Sequence, residues 1–276
     1  MEYISWISGN LKKIKNDYSY HLSLLIMEKN AEIGLFIPCY IDQFYPHVGI
    51  ATLQFLQKLG LNIVYPVKQT CCGQPLANTG CEDDAIAVYK NFVNNFSRFD
   101  YVVSPSGSCV YHIREHYDIL QQTDAVRKVR QNTYELCEFV VDVLKSDDLK
   151  IDYPHKVGIH QSCHGLRGLK LGVSSELLAN RYSKVHYLLE KAKGIEIVRL
   201  DREDECCGFG GTFSVFEPFI SVKMGKDRIL DHERNGVEVI TATDVSCLMH
   251  LEGIARRNKN NLQFRHVAEI LNHSQL

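Results

Sequence analysis

The tripeptide Cys-Cys-Gly occurs twice in this chain, at residues 71–73 and 206–208. Neighbouring side chains of a β-strand point to opposite faces of the sheet, so two adjacent thiols can serve one site only where the backbone leaves the strand. The glycine after each pair, joined by Gly210 and Gly211 in the second half, gives the backbone that freedom. The repeated tripeptide therefore predicts two loops that each present a cysteine pair, and a chain built from a duplicated unit.

The remaining patterned cysteines follow the same order in both halves. Each half has one cysteine ahead of its pair and one after it, and every such position follows a short apolar run that predicts a buried strand. The expected strands are residues 33–37, 62–65 and 101–103, then 156–160, 195–200 and 237–241. Two sets of four cysteines result: Cys39, Cys71, Cys72 and Cys109 form the first set, and Cys163, Cys206, Cys207 and Cys247 form the second set.

Helical spacing of apolar residues separates these strands. The expected helices include residues 46–59, 133–144 and 175–192, a helix with Ala85, Phe92 and Phe96 on one face, and a helix that ends near Arg234; residues 146–154 are expected to be a polar linker. Strands that alternate with helices predict an α/β fold of two tandem, similar, Rossmann-like modules with mainly parallel sheets, related by a pseudo-twofold axis. Ligand sites in such sheets form beyond the carboxyl ends of the strands, so we expect the two cysteine sets to face each other.

Three segments are expected along the chain. Residues 1–32 match nothing later in the sequence and are interpreted as an N-terminal extension, with an amphipathic helix at about residues 3–27. Residues 33–154 form the first Cys-Cys-Gly module, and residues 155–276 form the second.

Charge and hydropathy exclude several classes of partner. The net charge is −2, from 31 basic and 33 acidic residues, which argues against nucleic acid or an anionic membrane as the main partner. No apolar run approaches the roughly 18 residues of a membrane helix, and the N-terminus lacks the features of a signal peptide. We therefore expect a cytoplasmic protein with reduced thiols, a setting in which patterned cysteines favour metal binding or catalysis over disulfides.

The cysteine spacing narrows the metal chemistry. Four thiolates suit an iron–sulfur cluster or a structural zinc ion. Zinc sites usually draw on cysteine pairs separated by two residues, whereas an adjacent pair with two distant cysteines favours an iron–sulfur cluster. Thiol redox chemistry and a zinc-stapled scaffold remain alternatives. Cys81 and Cys137 have no counterpart in the repeat and are expected to be small, buried apolar side chains.

Several histidines accompany the patterned cysteines. His112 and His250 each lie three positions after the last cysteine of their set, where they are either ligands or solvated or hydrogen-bonded side chains. His160 and His164 flank Cys163. They are either hydrogen-bond donors that tune the site or solvated loop residues.

These motifs carry a resemblance to a known family. They are similar to the cysteine-rich, Cys-Cys-Gly domain found in the B chain of heterodisulfide reductase and in the iron–sulfur subunits of glycolate oxidase and anaerobic glycerol-3-phosphate dehydrogenase. The resemblance covers about residues 33–271. It is carried by residues 71–75, 103–109, 206–214, 247–249 and 266–271.

The resemblance implies an iron–sulfur electron-transfer subunit, with one or two clusters of the 4Fe–4S type held by the eight repeated cysteines. It also implies a three-protein cytosolic system that oxidises L-lactate, a small 2-hydroxy acid, to pyruvate, with the B and C proteins of that system as partners. A cluster-dependent thiol/disulfide reductase subunit is the alternative.

Two features qualify what the resemblance implies. The B chain of heterodisulfide reductase carries a fifth cysteine in each repeat, where this chain has Ser106 and Asp244, so four cysteines per cluster are expected here. The sequence contains no dinucleotide-binding fingerprint. We therefore expect that the chain does not oxidise lactate by itself.

Overall fold

The computed structural model describes residues 31–273 of the chain. Within these residues the chain forms two four-stranded sheets, and every strand pair in them is parallel. The expected α/β fold with parallel sheets is thus confirmed. The helix expected at residues 3–27, and nearly all of the expected extension at residues 1–32, lie outside the described residues.

The first sheet has the strand order β2-β1-β3-β4. Its strands are β1 (Ile33–Leu35), β2 (Ile63–Val64), β3 (Tyr101–Ser104) and β4 (Thr133–Glu135). Its helices are α1 (Cys39–Phe44), α2 (Pro46–Lys58), α3 (Gln74–Asn78), α4 (Glu82–Phe96), α5 (Gly107–His116), α6 (Asp124–Asn132) and α7 (Leu136–Glu138), with a 3₁₀ turn at Tyr117–Ile119 and a π-helical segment at Phe139–Leu144.

The second sheet repeats this order as β6-β5-β7-β8. Its strands are β5 (Lys156–Ile159), β6 (Glu196–Ile197), β7 (Val239–Ala242) and β8 (Gln263–His266). Its helices are α8 (Lys184–Leu189), α9 (Phe213–Phe216), α10 (Pro218–Arg234), α11 (Val245–Arg257) and α12 (Val267–Leu271), with a π-helical turn at His164–Gly168 and a 3₁₀ turn at Ser175–Leu177.

One large hydrophobic core joins the two sheets. It contains Leu35 of β1 and Val157 of β5, so side chains of both central strands contribute to the same core. The expected polar linker also contributes, because Leu149, Ile151 and Tyr153 alternate inward and are buried there. Burial of each such side chain contributes about 1.5–3 kcal/mol, so the segment between the sheets is part of the packed structure.

Two expected helices differ from the structure. The helix expected at residues 133–144 begins as strand β4, which pairs with β3 and becomes helical only from Leu136. The helix expected at residues 175–192 is interrupted at Leu178, which is 96% exposed and has a left-handed φ of 47°. The chain re-enters a helix only after Ser183, whose hydroxyl accepts a hydrogen bond from the His186 N–H and so caps α8.

Strand β8 completes the second sheet but was not predicted from the sequence. Among the described residues, no helix has both the length and the apolar character needed to cross a bilayer.

Candidate metal centre

The carboxyl ends of six strands bring all eight patterned cysteines to one place. The first cysteine of each set follows β1 or β5, and the pair follows the neighbouring edge strand, β2 or β6. The last cysteine follows β3 or β7, which lies on the other side of β1 or β5. A cavity of about 350 Å³ lies where these ends meet. Its lining includes Cys39, Cys71, Cys72, Cys109, Cys163, Cys206, Cys207 and Cys247.

The thiols of the first set contact one another in series. The Sγ atoms of Cys39 and Cys71 are 3.5 Å apart, and the backbone N–H of Gly73 donates to the Cys71 sulfur over 3.4 Å. Hydrogen bonds from Cys39 and then Cys72, together with this N–H, lower the pKa of Cys71 to about 3. The pKa of Cys39 is raised, chiefly because its thiol donates to Cys71. Cys71 is therefore the preferred thiolate of this set, and the thiolate is the form of cysteine that binds metal.

The second set repeats this arrangement. The backbone N–H of Gly208 donates to the Cys206 sulfur over 3.3 Å. A hydrogen bond from Cys163, and then one from Cys207, lowers the pKa of Cys206, while the pKa values of both donors are raised. Cys247 has a pKa lowered to about 6, chiefly by its hydrogen bond with Cys207. The first cysteine of each adjacent pair is therefore the preferred thiolate in both sets.

The glycine of each tripeptide is required by the backbone and by its surroundings. Gly73 has a φ of 89°, and a Cβ at this position would lie 2.4 Å from the ring of Tyr89. Gly208 has a φ of 88°, and a Cβ there would lie 2.6 Å from the carbonyl oxygen of Ser221. The same residue type is thus used for the same reason in both loops.

The histidines expected near the cysteines fall into two groups. His112 forms a 2.9 Å hydrogen bond with the Tyr89 hydroxyl, and His250 lies 3.4 Å from the Ser221 hydroxyl, so these two are hydrogen-bonded side chains in the structure. His160 is only 1% exposed, which contradicts the solvated alternative for it. Its ring and the sulfurs of Cys207 and Cys247 offer ligand atoms within 4.8 Å of one another. His164 is exposed at the cavity wall.

Ser106 and Asp244 join the two halves of the centre. The Ser106 hydroxyl donates to Asp244 Oδ1 over 3.0 Å, and the backbone N–H and hydroxyl of Ser108 donate to the same oxygen over 2.9 and 2.8 Å. The carboxylate of the second half thus caps the N-terminus of α5, the helix that carries Cys109. The contact between these two residues could not be predicted from the sequence, because nothing in the local sequence pairs residues 138 positions apart.

The two unpatterned cysteines lie outside the cavity lining. Cys137 is fully buried, as expected. The expectation for Cys81 is wrong, because this residue is exposed at the position just before α4. It faces solvent because the apolar face of α4 begins only at Ala85, one turn further along the chain.

The donor set fits a thiolate-bound metal group. Soft sulfur ligands select iron–sulfur clusters or zinc over hard cations such as Mg²⁺. Cys72 and Cys207 are only 1% and 3% exposed, so each set includes a sulfur shielded from water. None of the described residues that line the cavity is Lys or Arg. The walls are therefore suited to a group held by sulfur and lack the cations that usually bind a free carboxylate.

Comparison with known proteins agrees with this geometry. The model of the CCG family, described as a cysteine-rich domain, matches residues 33–114 and 157–252. Lactate utilization protein A of Halalkalibacterium halodurans is 38% identical over 248 residues, which cover 88% of this chain and 98% of that protein. Lactate utilization protein A of Bacillus subtilis is 38% identical over 245 residues, which cover 87% and 99%. The protein of the same name from Geobacillus thermodenitrificans is 37% identical over 246 residues, which cover 88% and 99%.

Proposed function

This chain belongs to the lactate utilization protein A family, and we propose that it is the iron–sulfur electron-transfer subunit of a cytosolic system that oxidises L-lactate to pyruvate. The proposal includes one or two clusters of the 4Fe–4S type, and lactate utilization proteins B and C as partners. The observation that carries it is the convergence of two equivalent sets of four thiols on one cavity.

Each cysteine set would hold one cluster. Cys39, Cys71, Cys72 and Cys109 would form one ligand set, and Cys163, Cys206, Cys207 and Cys247 the other. Four thiolates are the usual protein ligands of a 4Fe–4S cluster, which supplies one-electron transfer when bound. The N–H groups of Gly73 and Gly208 stabilise the first thiolate of each pair, so both sets are prepared for ligation.

The cavity supports electron transfer better than direct oxidation of a 2-hydroxy acid. A lactate carboxylate is normally held by Arg or Lys, and neither lines this cavity among the described residues. The buried carboxylate of Asp244 borders the cavity and would repel the substrate. Lactate oxidation also removes two electrons and two protons, which calls for a group that accepts both electrons. We therefore assign that step to the assembled system.

Anaerobic purification tests the cofactor. We expect a brown protein that contains iron and acid-labile sulfide in equal amounts, whereas a colourless preparation with stoichiometric zinc would support the scaffold alternative. Cys72→Ser and Cys207→Ser should each remove the iron of one set. Cys81→Ser is the matched control, because Cys81 is exposed and outside the cavity, and it should retain all of the iron.

The division of labour is tested with L-lactate and an artificial electron acceptor. The cluster-loaded chain alone should form no pyruvate, and addition of proteins B and C should start the reaction. Sustained pyruvate formation by the chain alone would contradict the subunit role. Rapid cleavage of a disulfide substrate by the isolated chain would favour the reductase alternative.

A further inference from the structure

The two cysteine sets differ at one buried position behind their sulfurs. Phe36 and His160 hold equivalent places, because each lies three residues ahead of the first cysteine of its set. Their backbone N–H groups make the same contact, to the Val103 carbonyl over 2.9 Å and to the Thr241 carbonyl over 2.7 Å. Both side chains are buried. A phenyl ring in the first half thus stands where the second half has an imidazole.

The side chains around this position are likewise aromatic in the first half and polar in the second half. In the first half, Phe36 packs edge-on against Phe92 and Phe96, with ring centroids 4.9 and 5.7 Å apart. The corresponding helix of the second half, α10, buries Arg228 and His232. His232 occupies the place in the second half that Phe96 has in the first half. A Cβ on Gly34 would meet Phe96, and a Cβ on the equivalent Gly158 would meet His232.

The buried polar side chains of α10 include an ion pair. Arg228 is fully buried and forms a 3.0 Å ion pair with Asp231, which also pairs with Arg234. Burial, and then the charges of Arg228 and His160, lowers the pKa of His232 well below its usual value. His232 is therefore a neutral neighbour of His160, and the charge of Arg228 is balanced by Asp231.

Two further kinds of group around the sulfurs are matched between the halves. His112 and His250 occupy equivalent positions, and so do the N–H donors of Gly73 and Gly208. These groups affect both sets in the same direction. Two charged side chains are unmatched, Asp244 near Cys247 and Arg167 near Cys163, and their charges have opposite signs, so their effects on the second set oppose each other. The difference between Phe36 and His160 remains, and the His160 ring and the sulfurs of Cys207 and Cys247 offer atoms within 4.8 Å of one another.

We propose that His160 donates a ring N–H to the sulfurs of Cys207 and Cys247 and gives the second set's cluster a less negative reduction potential than the first set's cluster. This proposal rests on the proposed iron–sulfur function. It makes the second set the electron-accepting end of the pair.

The direction follows from electrostatics. Reduction adds negative charge to a cluster and to its thiolate ligands, and hydrogen bonds to the sulfurs and nearby charge are known to set the potential of such centres. An N–H donor to these sulfurs stabilises the reduced form more than the oxidised form. The ring of Phe36 offers no such interaction, so the first cluster is harder to reduce.

The test uses the full-length, cluster-loaded chain with one set removed at a time. Cys72→Ser leaves the second cluster, and Cys207→Ser leaves the first, so that a redox titration followed by electron paramagnetic resonance measures each potential separately. We expect the less negative potential in the Cys72→Ser protein. Equal potentials, or the reverse order, would overturn the proposal, and this test requires no substitution of His160.

Replacement of His160 then tests the cause. In the Cys72→Ser background, His160→Phe should shift the potential toward that of the first cluster, with iron and sulfide unchanged. His160→Gln retains an amide N–H and should keep most of the original potential. His186→Phe, the same substitution at a half-exposed residue of α8, should have no effect.

Four results separate this proposal from the function on which it rests. An unchanged potential in His160→Phe would refute the donor role. Loss of the second set's iron in His160→Phe would also refute the donor role, because His160 would then be a ligand. Weak ¹⁴N coupling in pulsed electron paramagnetic resonance spectra that disappears in His160→Phe would support donation of the hydrogen bond. Absence of iron from the unmutated protein would instead overturn the proposed function itself.

Discussion

Replacement of Asp244 by alanine should destabilise the whole protein, because this carboxylate joins the two halves. Oδ1 accepts hydrogen bonds from the Ser106 hydroxyl, the Ser108 N–H and the Ser108 hydroxyl, at 3.0, 2.9 and 2.8 Å. Hydrogen bonds to a carboxylate contribute about 1.5–3 kcal/mol each, so the three bonds set an upper limit of about 5–9 kcal/mol. Because water from the adjacent cavity can re-solvate the freed donors, we expect a loss of about 3 kcal/mol.

Urea denaturation of the metal-free protein, followed by circular dichroism, measures this loss as a lower midpoint at unchanged slope. Ser106→Ala removes one of the three bonds and also the bond by which the Ser106 hydroxyl caps α5 at the Cys109 N–H, and should cost about 1–2 kcal/mol. Asp227→Ala is the matched control, since Asp227 makes an exposed ion pair with Lys223 and its loss should leave the urea midpoint nearly unchanged. If Asp244→Ala loses no more than Asp227→Ala, the contact does not hold the halves together and the reasoning is wrong.

Two further predictions concern a glycine and a buried acid. Gly73→Ala should destabilise the metal-free protein by roughly 3 kcal/mol or more, because its φ is 89° and the new Cβ would lie 2.4 Å from Tyr89. Gly60→Ala, at a φ of 77° with no atom within 4 Å, should cost only about 1–2 kcal/mol, and equal losses in urea would contradict the steric argument. Burial raises the pKa of Glu135 from 4.5 to about 8, so its contribution to stability is present below pH 4.5 and is lost as the pH rises through 8. Glu135→Gln should therefore gain stability relative to the unmodified protein between pH 5 and pH 8, and a constant difference across this range would contradict the raised pKa.

The order of strands and cysteines was largely predictable from the sequence. Apolar runs ahead of Cys39 and Cys163 are continuous because the central strands are buried on both faces, and such runs are easy to recognise. Glycines mark the loops because only they tolerate the required backbone. These signals depend on neighbouring residues alone.

The last strand of each sheet could not be recognised in the same way. β4 (Thr133–Glu135) has three residues, and β8 (Gln263–His266) has a single strongly apolar one, Phe264. Neither segment has an apolar run or a period that predicts a strand, and both become strands because the neighbouring strand offers free hydrogen-bonding groups. The contact between Ser106 and Asp244 and the burial of His160 likewise depend on how the halves meet, which no local pattern encodes.

The helix α12 has a consequence for how this protein is made. α12 (Val267–Leu271) contacts α8 of its own half and also α2 of the first half, and the side chain of Asn272 donates to Gln54 of α2 over 2.8 Å. Val267 and Ile270 belong to the same core as Leu35 of the first strand. Domains of many proteins fold one after another while the ribosome is still synthesising the chain. Here the first half cannot close its core until residue 271 has left the ribosome, so we expect both halves to complete folding together and to receive metal only then.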